Sequence, residues 1–377
     1  MRIGIDARLN AYRQGGIAQY TQQLLKHMVG QLGSDRLVVL QHRRQAQPLV
    51  NGAHVRRARL LTPPHNRFEA VALPLELLPQ RLNILHCPDF VAPRIRPCPA
   101  VVTIHDLAFL RFPEILDADA KRYYSQVRAS AHAAQAVIAV SQSTCNDIVE
   151  LLDLPAERID VVYEAAAPHF RPLQIAPNAE RIINGVPVRA NTFLLFVSTI
   201  EPRKNLATLL RALHLCRERH PAAGYRLVIA GVRGWLDGPI FDLMRDLGLG
   251  EAVDLLGWPA PEDLVWLYAA CRIYLNPSLY EGFGLPVLEA LACGAPTVVA
   301  DTSSLPEVAG EAARCVPALD VAAWAEVISQ LWDDADARQQ LAERGPRQAA
   351  RFSWEQAAHE TLAIYRRVGG FSPAKPD

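Results

Sequence analysis

The sequence predicts an α/β protein of two domains, each a parallel sheet covered by helices. Three observations carry that prediction. A chain of 377 residues exceeds the size at which a single hydrophobic core keeps growing. Short β-branched or apolar runs alternate with helical patterns from end to end, as parallel strands joined by crossover helices require. Residues 169 to 190, HFRPLQIAPNAERIINGVPVRA, interrupt the alternation with three prolines and no sustained period. The expected division is a first domain at 1–172, a linker at 173–190, a second domain at 191–352, and a last stretch at 353–377 that packs back on the first domain.

In the first half the expected strands are RIGID (2–6), LVVL (37–40), ILHC (84–87), VVTI (101–104), AVIAVS (136–141) and DVVYEA (160–165), with helices in most gaps. Runs this apolar suit strands buried on both faces. The second half restarts with FLLFVST (193–199), RLVIAG (226–231), VDLLG (253–257), IYLNPS (273–278) and TVVA (297–300). The stretch WEQAAHETLAIYRRV (354–368) follows Arg-Phe-Ser, whose serine is a helix-capping signal. Open α/β sheets bind ligands beyond the carboxyl ends of their strands, so a cleft between two facing sheets is the expected site.

Half the residues are apolar and 21% are charged, and no window approaches the roughly 20 uncharged apolar residues of a membrane span. A soluble chain is expected. The start, MRIGIDARLNAYR, lacks the features of a secretory signal, so the expected compartment is the cytoplasm. Seven cysteines, odd in number and never spaced CxxC, suggest reduced buried thiols rather than disulfides or zinc. Residues 1 to 70 hold eleven Lys and Arg against three Asp and Glu, including HRR at 42–44 and RRAR at 56–59. Such a surface suits anionic membranes or phosphorylated substrates, or is a solvated basic face. Nucleic acid is not expected, because no recognition motif accompanies the arginines.

The segment FVSTIEPRKNLATLLRALHLCRER ends a strand near Thr199 and starts a helix that Asn205 can cap. Arg203 and Lys204 fall between them, where cations beside unpaired backbone N–H groups suit a diphosphate; a solvated turn with a Glu201 ion pair is the alternative. Gly15 and Gly16 precede a helical pattern and either admit a ligand close to backbone or form a plain helix start. They are not GxGxxG, so a nicotinamide dinucleotide site is poorly supported. HCPDF (86–90) and TIHDLAFLRFPE (103–114) each put His and Asp at a strand end. His105 and Asp106 either line the cleft or are a turn cap and a satisfied ring. No nucleophile signature joins them, which discards a Ser-His-Asp hydrolase. DAD at 117–119 reads as a helix start rather than a metal site.

In EGFGLPVLEALACGAPTVVA (281–300), Pro286 and Gly294 bound a short helix containing Glu289, with Glu281 in the loop before it. Gly282 and Gly284 let that loop bend close to a ligand, with Glu281 expected to point into the cleft. Carboxylates in apolar surroundings need donors, and vicinal sugar hydroxyls are suitable ones. The alternative is that Glu289 complements the helix dipole and Glu281 faces solvent.

Together these residues resemble the GT-B glycosyltransferases of the large retaining family 4, over nearly the whole chain. The resemblance rests on E-x7-E at Glu281 and Glu289, STIEPRKN (198–205), TIHDLAFLRFPE, VSQSTCNDI (140–148) and GGI (15–17). The chain departs from the family at Ser198, where Gly is common, and at Thr199, where Arg is common. The resemblance implies two Rossmann-like domains, acceptor-side and donor-side, and sugar transfer from a nucleotide donor with retention and no obligatory metal or other cofactor. It assigns the diphosphate to Arg203 and Lys204, the ribose to Glu289, the donor sugar to Glu281, and the reacting face to His105. Gly15, Gly16, Asp106, Ser198, Gly282, Phe283, Gly284 and Leu285 complete the implied donor site. The EPRKN form is most similar to bacterial surface-polysaccharide enzymes, often mannosyltransferases using GDP-mannose, with lipid-linked or saccharide acceptors at the inner leaflet. A sugar-nucleotide 2-epimerase and a non-catalytic nucleotide-sugar sensor are the alternatives. Weakening the amino-terminal arginines is expected to lower binding to anionic liposomes.

Overall fold

Runs without charge on either face become the central strands of two parallel sheets. The computed structural model describes residues 1–12, 15–66, 68–113, 123–234 and 238–370. The chain divides into one unit of Met1–Glu164 with the residues from Ser353 onward, and a second of Ala165–Phe352.

The first unit holds β1 (Arg2–Asp6), β2 (Arg36–His42), β3 (Val55–Leu60), β4 (Ile84–Cys87), β5 (Ala100–Ile104), β6 (Ala136–Ala139) and β7 (Ile159–Val161). They pair in the order β3-β2-β1-β4-β5-β6-β7. Every pairing is parallel. Every residue of β4, β5 and β6 is buried. Strand β3, VRRARL, was not expected, because its arginines mask a strand that buries only Ala58 and Leu60. It is the sheet's edge, where charge discourages pairing with another chain. Helix α1 (Gly16–Val29) buries Tyr20, Leu24 and Met28. Helix α2 (Glu69–Leu77) inserts Leu73 and Leu77 into the core with Ala58 and Leu60.

In the second unit the stretch expected as a linker, 173–190, is corrected. It contains an antiparallel hairpin of β8 (Glu180–Ile183) and β9 (Val186–Arg189), and the unit begins at Ala165 rather than after 172. The prolines hid the hairpin: Pro187 lies within β9, which an unpaired edge tolerates. The parallel sheet comprises β10 (Leu194–Val197), β11 (Leu227–Ala230), β12 (Val253–Gly257), β13 (Ile273–Asn276), β14 (Thr297–Ala300) and β15 (Ala313–Val316). Their order is β12-β11-β10-β13-β14-β15. Helix α3 (Leu206–Arg219) follows β10, and α4 (Leu285–Ala292) follows β13. The strand order reverses between β10 and β13, and crevices form beyond the carboxyl ends of strands at such a point. Gly231 is required there, since a Cβ would lie 1.8 Å from the Ser198 carbonyl oxygen.

The last helix, α5 (Trp354–Val368), is capped by Ser353, whose side chain accepts from Gln356 N at 3.0 Å. It belongs to the first unit. Arg366 donates to Asp35 at 3.1 Å, and Tyr365 bonds His86 Nδ1. His86 Nε2 meets Thr103 Oγ1 at 2.8 Å. Burial drives the His86 pKa down to about 3, so this ring stays neutral and is a core residue. Tyr365→Phe leaves one His86 nitrogen without its partner and is expected to cost about 1–3 kcal/mol, read as a lower denaturation midpoint.

Candidate active site

The residues around the β10/β13 reversal form a buried charge cluster. After β10 the chain makes a single turn, Pro202–Lys204, and Asn205 takes a left-handed conformation at φ 55° before α3 begins. Asn205 does not cap α3 with its side chain as expected. Its amide donates to the carbonyls of Pro277 (3.0 Å) and Ala318 (2.7 Å), and its oxygen accepts from Thr208 Oγ1 at 2.8 Å. It is a strut between loops. A backbone bond from Leu279 N to Arg203 O, 2.8 Å, ties the turn to the loop after β13.

Across that junction Lys204 Nζ donates to Glu281 Oε1 at 2.7 Å, between residues 77 apart in sequence. Ser278 Oγ donates to the same oxygen at 2.8 Å. Arg203 places Nη1 3.5 Å from Glu281 Oε2 and Nε 2.6 Å from Glu201 Oε1, and also donates to the Tyr280 carbonyl. Glu281 was expected to point into a cleft, with solvent as the alternative. The structure rules out the solvent-facing alternative, for the carboxylate is buried among its own cations. Burial alone would raise its pKa, but the charges of Lys204 and Arg203 hold it below the usual carboxylate value. Two cations and two carboxylates thus form one compensated cluster.

The loop from 281 to 284 is pinned from behind. Ser303 Oγ accepts from Glu281 N at 2.8 Å, and Ser304 Oγ donates to the carbonyls of Glu281 (3.0 Å) and Phe283 (2.9 Å). Gly284, at φ 96°, starts α4 in a conformation that a side chain resists. The Phe283 ring is buried, edge-on to Phe352. Gly282 and Leu285 lie in the same pinned segment, and Ser198 uses its N–H on the Ala230 carbonyl at 3.1 Å.

Glu289 sits one turn into α4 and has a different environment. Its Oε2 accepts from Tyr268 Oη at 3.1 Å. Desolvation pushes its pKa up to about 8, against the lowering effect of that hydrogen bond. The two carboxylates of E-x7-E are therefore opposite in kind: Glu281 is held ionised, and Glu289 is mostly protonated at neutral pH.

In the first unit, both ring nitrogens of His105 are 2.9 Å from acceptors, Nδ1 from Glu164 Oε1 and Nε2 from the Pro88 carbonyl. Burial opposes a charge on this ring, but the hydrogen bond and charge of Glu164, with the Pro88 carbonyl, raise its pKa. An imidazolium donating both protons satisfies this geometry. Asp106 caps the turn that follows, accepting from Ala108 N at 3.0 Å. Gly15 and Gly16 open α1, and a Cβ at either would meet no described atom within 4 Å. Packing does not demand glycine there.

Asp89 of HCPDF lies after β4, at this unit's own reversal of strand order. It accepts from Tyr123 Oη (2.8 Å) and pairs with His65 Nε2 (2.9 Å). Asp117 and Asp119 lie outside the described residues. Sequence reasoning missed Ser278, Ser303, Ser304, Tyr268 and Glu164. For Glu164 the available signal was its place at the end of the last strand of the first half.

Two family patterns match the chain: the one described as "Glycosyl transferases group 1" over residues 181–348, and "Glycosyltransferase Family 4" over residues 14–167. The chain is 35% identical over 289 residues to the O-antigen chain mannosyltransferase B of Escherichia coli, covering 75% of this chain and 74% of that protein. Among solved structures it is similar to a sucrose-phosphate synthase from Thermosynechococcus elongatus. The TM-score is 0.76 at 19% identity, over 98% of this chain and 99% of that one. Anabaena HepE, solved with UDP and glucose, matches with a TM-score of 0.72 at 18% identity, over 97% and 99%. These likenesses establish the GT-B fold.

Lys204→Ala removes the main partner of a buried carboxylate and is expected to destabilise the protein by on the order of 3 kcal/mol, with Glu281→Gln in that background restoring part of the loss. Because the Glu281 pKa is depressed, its stabilising contribution is present above the usual carboxylate pKa and is lost as pH falls through the folded value. Denaturant titrations should therefore show Lys204→Ala weakening the protein at neutral pH more than in acid.

Proposed function

The chain belongs to the glycosyltransferases of group 1 and family 4, and from that premise we propose that it moves a sugar from a nucleotide donor to a saccharide acceptor with retention at the anomeric carbon. The favoured donor is GDP-mannose. The favoured acceptor is a lipid-linked or oligosaccharide chain in bacterial surface-polysaccharide synthesis, met in the cytoplasm at the inner leaflet. The names of the relatives support this reading. The observation that carries it is the Lys204–Glu281 pair with Arg203 at the β10/β13 reversal.

Lys204 and Arg203 take the diphosphate. As the sugar–oxygen bond lengthens, negative charge grows on the leaving phosphate, and cations already in position stabilise that state more than the ground state. Glu281 holds both cations in place, so it acts partly as a positioning residue. Its Oε2, whose contact with Arg203 is the longer one, is the oxygen we assign to a donor-sugar hydroxyl. No metal is part of the proposal, since these side chains supply the positive charge. Gly282, Gly284 and Leu285 let backbone approach the donor, and Gly15 and Gly16 open a helix N-terminus to its phosphates. His105, with both ring protons committed, is not a general base; its positive charge and backbone carbonyl are what it offers the reacting sugar.

Glu289 receives the ribose. Two vicinal hydroxyls donating to it favour the ionised form, so binding releases a proton from a group whose free pKa is about 8. Nucleotide affinity should tighten as pH rises toward that value, by up to about tenfold per unit, and level off above it. Glu289→Gln should bind more weakly and show a flat profile. Metal-free titrations of GDP, UDP and ADP, with their sugars, against wild type, Lys204→Ala and Glu289→Gln read both effects and identify the donor class. Wild-type protein that takes up none of these nucleotides would end the proposal.

A further inference from the structure

The first unit has a crevice of its own. Its strand order, β3-β2-β1-β4-β5-β6-β7, reverses between β1 and β4, and ligands bind beyond the carboxyl ends of strands at such a point. A cavity of about 30 Å³ lies there, lined by Asp6 and Arg8 from the end of β1, Pro88 and Asp89 from the end of β4, and His65 and Glu69 at the start of α2. A water-sized group needs roughly 10–15 Å³, so the cavity admits about two hydroxyl groups rather than a whole sugar ring. The Pro88 carbonyl in its wall also accepts from His105 Nε2 at 2.9 Å. One residue thus joins this cavity to the histidine assigned to the reacting sugar.

The wall presents acceptors and withholds its cation. The Arg8 side chain is 2% exposed, whereas those of Asp6, Glu69 and Asp89 are 15%, 17% and 17% exposed. Arg8 donates Nε to Asp6 Oδ1 at 2.9 Å, Nη1 to the Thr62 carbonyl at 3.0 Å, and Nη2 to Asp6 Oδ2 at 2.7 Å and to Glu69. Its charge is engaged beneath the acids. Asp89 Oδ2 accepts from Tyr123 Oη at 2.8 Å and from His65 Nε2 at 2.9 Å, and Oδ1 accepts from Phe90 N at 2.8 Å. Among the described residues these donors leave one of the roughly four acceptor positions of the carboxylate open, on Oδ1. Burial opposes the Asp89 charge, but the hydrogen bond and charge of His65, with Tyr123 and the Phe90 N–H, hold its pKa below the usual carboxylate value. His65 reaches it from a left-handed backbone, φ 60°, a conformation that a side chain resists. No Lys or Arg other than Arg8 lines the cavity among the described residues, and no acids, histidines or cysteines gather there as a metal ion requires. Three partly exposed carboxylates over one covered arginine repel a phosphate and accept from an uncharged hydroxyl.

We propose that this cavity is an acceptor subsite that takes hydroxyl groups of a neutral, unphosphorylated sugar end, with Asp89 as its principal hydrogen-bond acceptor. The inference deepens the proposed function and rests on it, because it states what chemistry the saccharide acceptor presents. Asp89 binds and orients the sugar through hydroxyls other than the attacking one. No proton transfer is assigned to it, since its carboxylate is already held by three donors.

The test is saturation-transfer NMR of the methyl glycosides of neutral hexoses and of their monophosphates, with no nucleotide present. Wild type, Asp89→Asn and Ile17→Trp are compared; the last adds bulk to the cavity wall and changes no charge. Wild type is expected to bind at least one neutral glycoside, and its monophosphates about tenfold or more weakly. Asp89→Asn should lose about tenfold in affinity for the neutral glycoside, as befits a hydrogen bond to a charged group. It should also narrow the preference against the monophosphates, which a merely structural defect would not do. Ile17→Trp should weaken the neutral glycoside by a similar factor. Wild type that binds no neutral glycoside, or binds a monophosphate equally well, overturns the proposal, and so does an Asp89→Asn protein with wild-type affinity and preference. Should Asp89→Asn not fold, Ile17→Trp decides in its place, with unchanged binding overturning the proposal. Nucleotide binding is measured on the same preparations and should be equal in all three. Glycoside binding without nucleotide binding would sink the transferase reading and leave this cavity standing; the reverse would remove the cavity alone.

Discussion

The second unit depends on one buried ion pair. Lys204 comes from the turn after β10 and Glu281 from the loop after β13, and neither charge would survive desolvation alone. Their pairing fixes the two loops against each other at the point where the strand order reverses. The struts around it, Asn205 to Pro277 and Ala318 and Ser304 to the 281–284 loop, are neutral hydrogen bonds that remove the remaining freedom. A pair held this way is preorganised, with its charged groups fixed in position by the fold.

The charges are distributed unequally. Around Glu281 positive and negative groups compensate one another. Among the described residues Glu289 has a tyrosine hydroxyl as its hydrogen-bond partner, and burial raises its pKa. His105 is compensated by Glu164. One carboxylate thus orders cations, another has its pKa raised by burial, and the histidine presents both ring nitrogens to acceptors. In each case burial sets the cost and the neighbour decides which protonation state bears it.

Much of this was legible in the chain. The runs that became β1, β4, β12 and β14 were readable to the residue, because each is a short stretch rich in β-branched and other apolar residues bounded by turn signals. The Ser353 cap was readable because capping is local. Strand β3 was not, since a charged edge strand reads as a basic patch, and the β8–β9 hairpin was hidden by prolines. Glu281 and Glu289 were recognisable as a pair with Arg203 and Lys204 nearby in purpose. Which carboxylate met which cation was not, because the partners lie 77 residues apart and nothing local distinguishes a carboxylate facing solvent from one facing a lysine.

By itself the sequence determined the alternation of elements and the restart of the pattern at the second unit, which follow from periodicity, and the family, which follows from the motifs that carry the resemblance. Only the tertiary structure decided that Glu281 is internal, that the Phe283 ring is core, that Asn205 is a strut, and that α2 engages both its acids while leaving Val71 and Leu75 exposed. Those outcomes depend on what each side chain meets across the fold, and desolvation, which sets their energies, is a property of surroundings that no single stretch of chain contains.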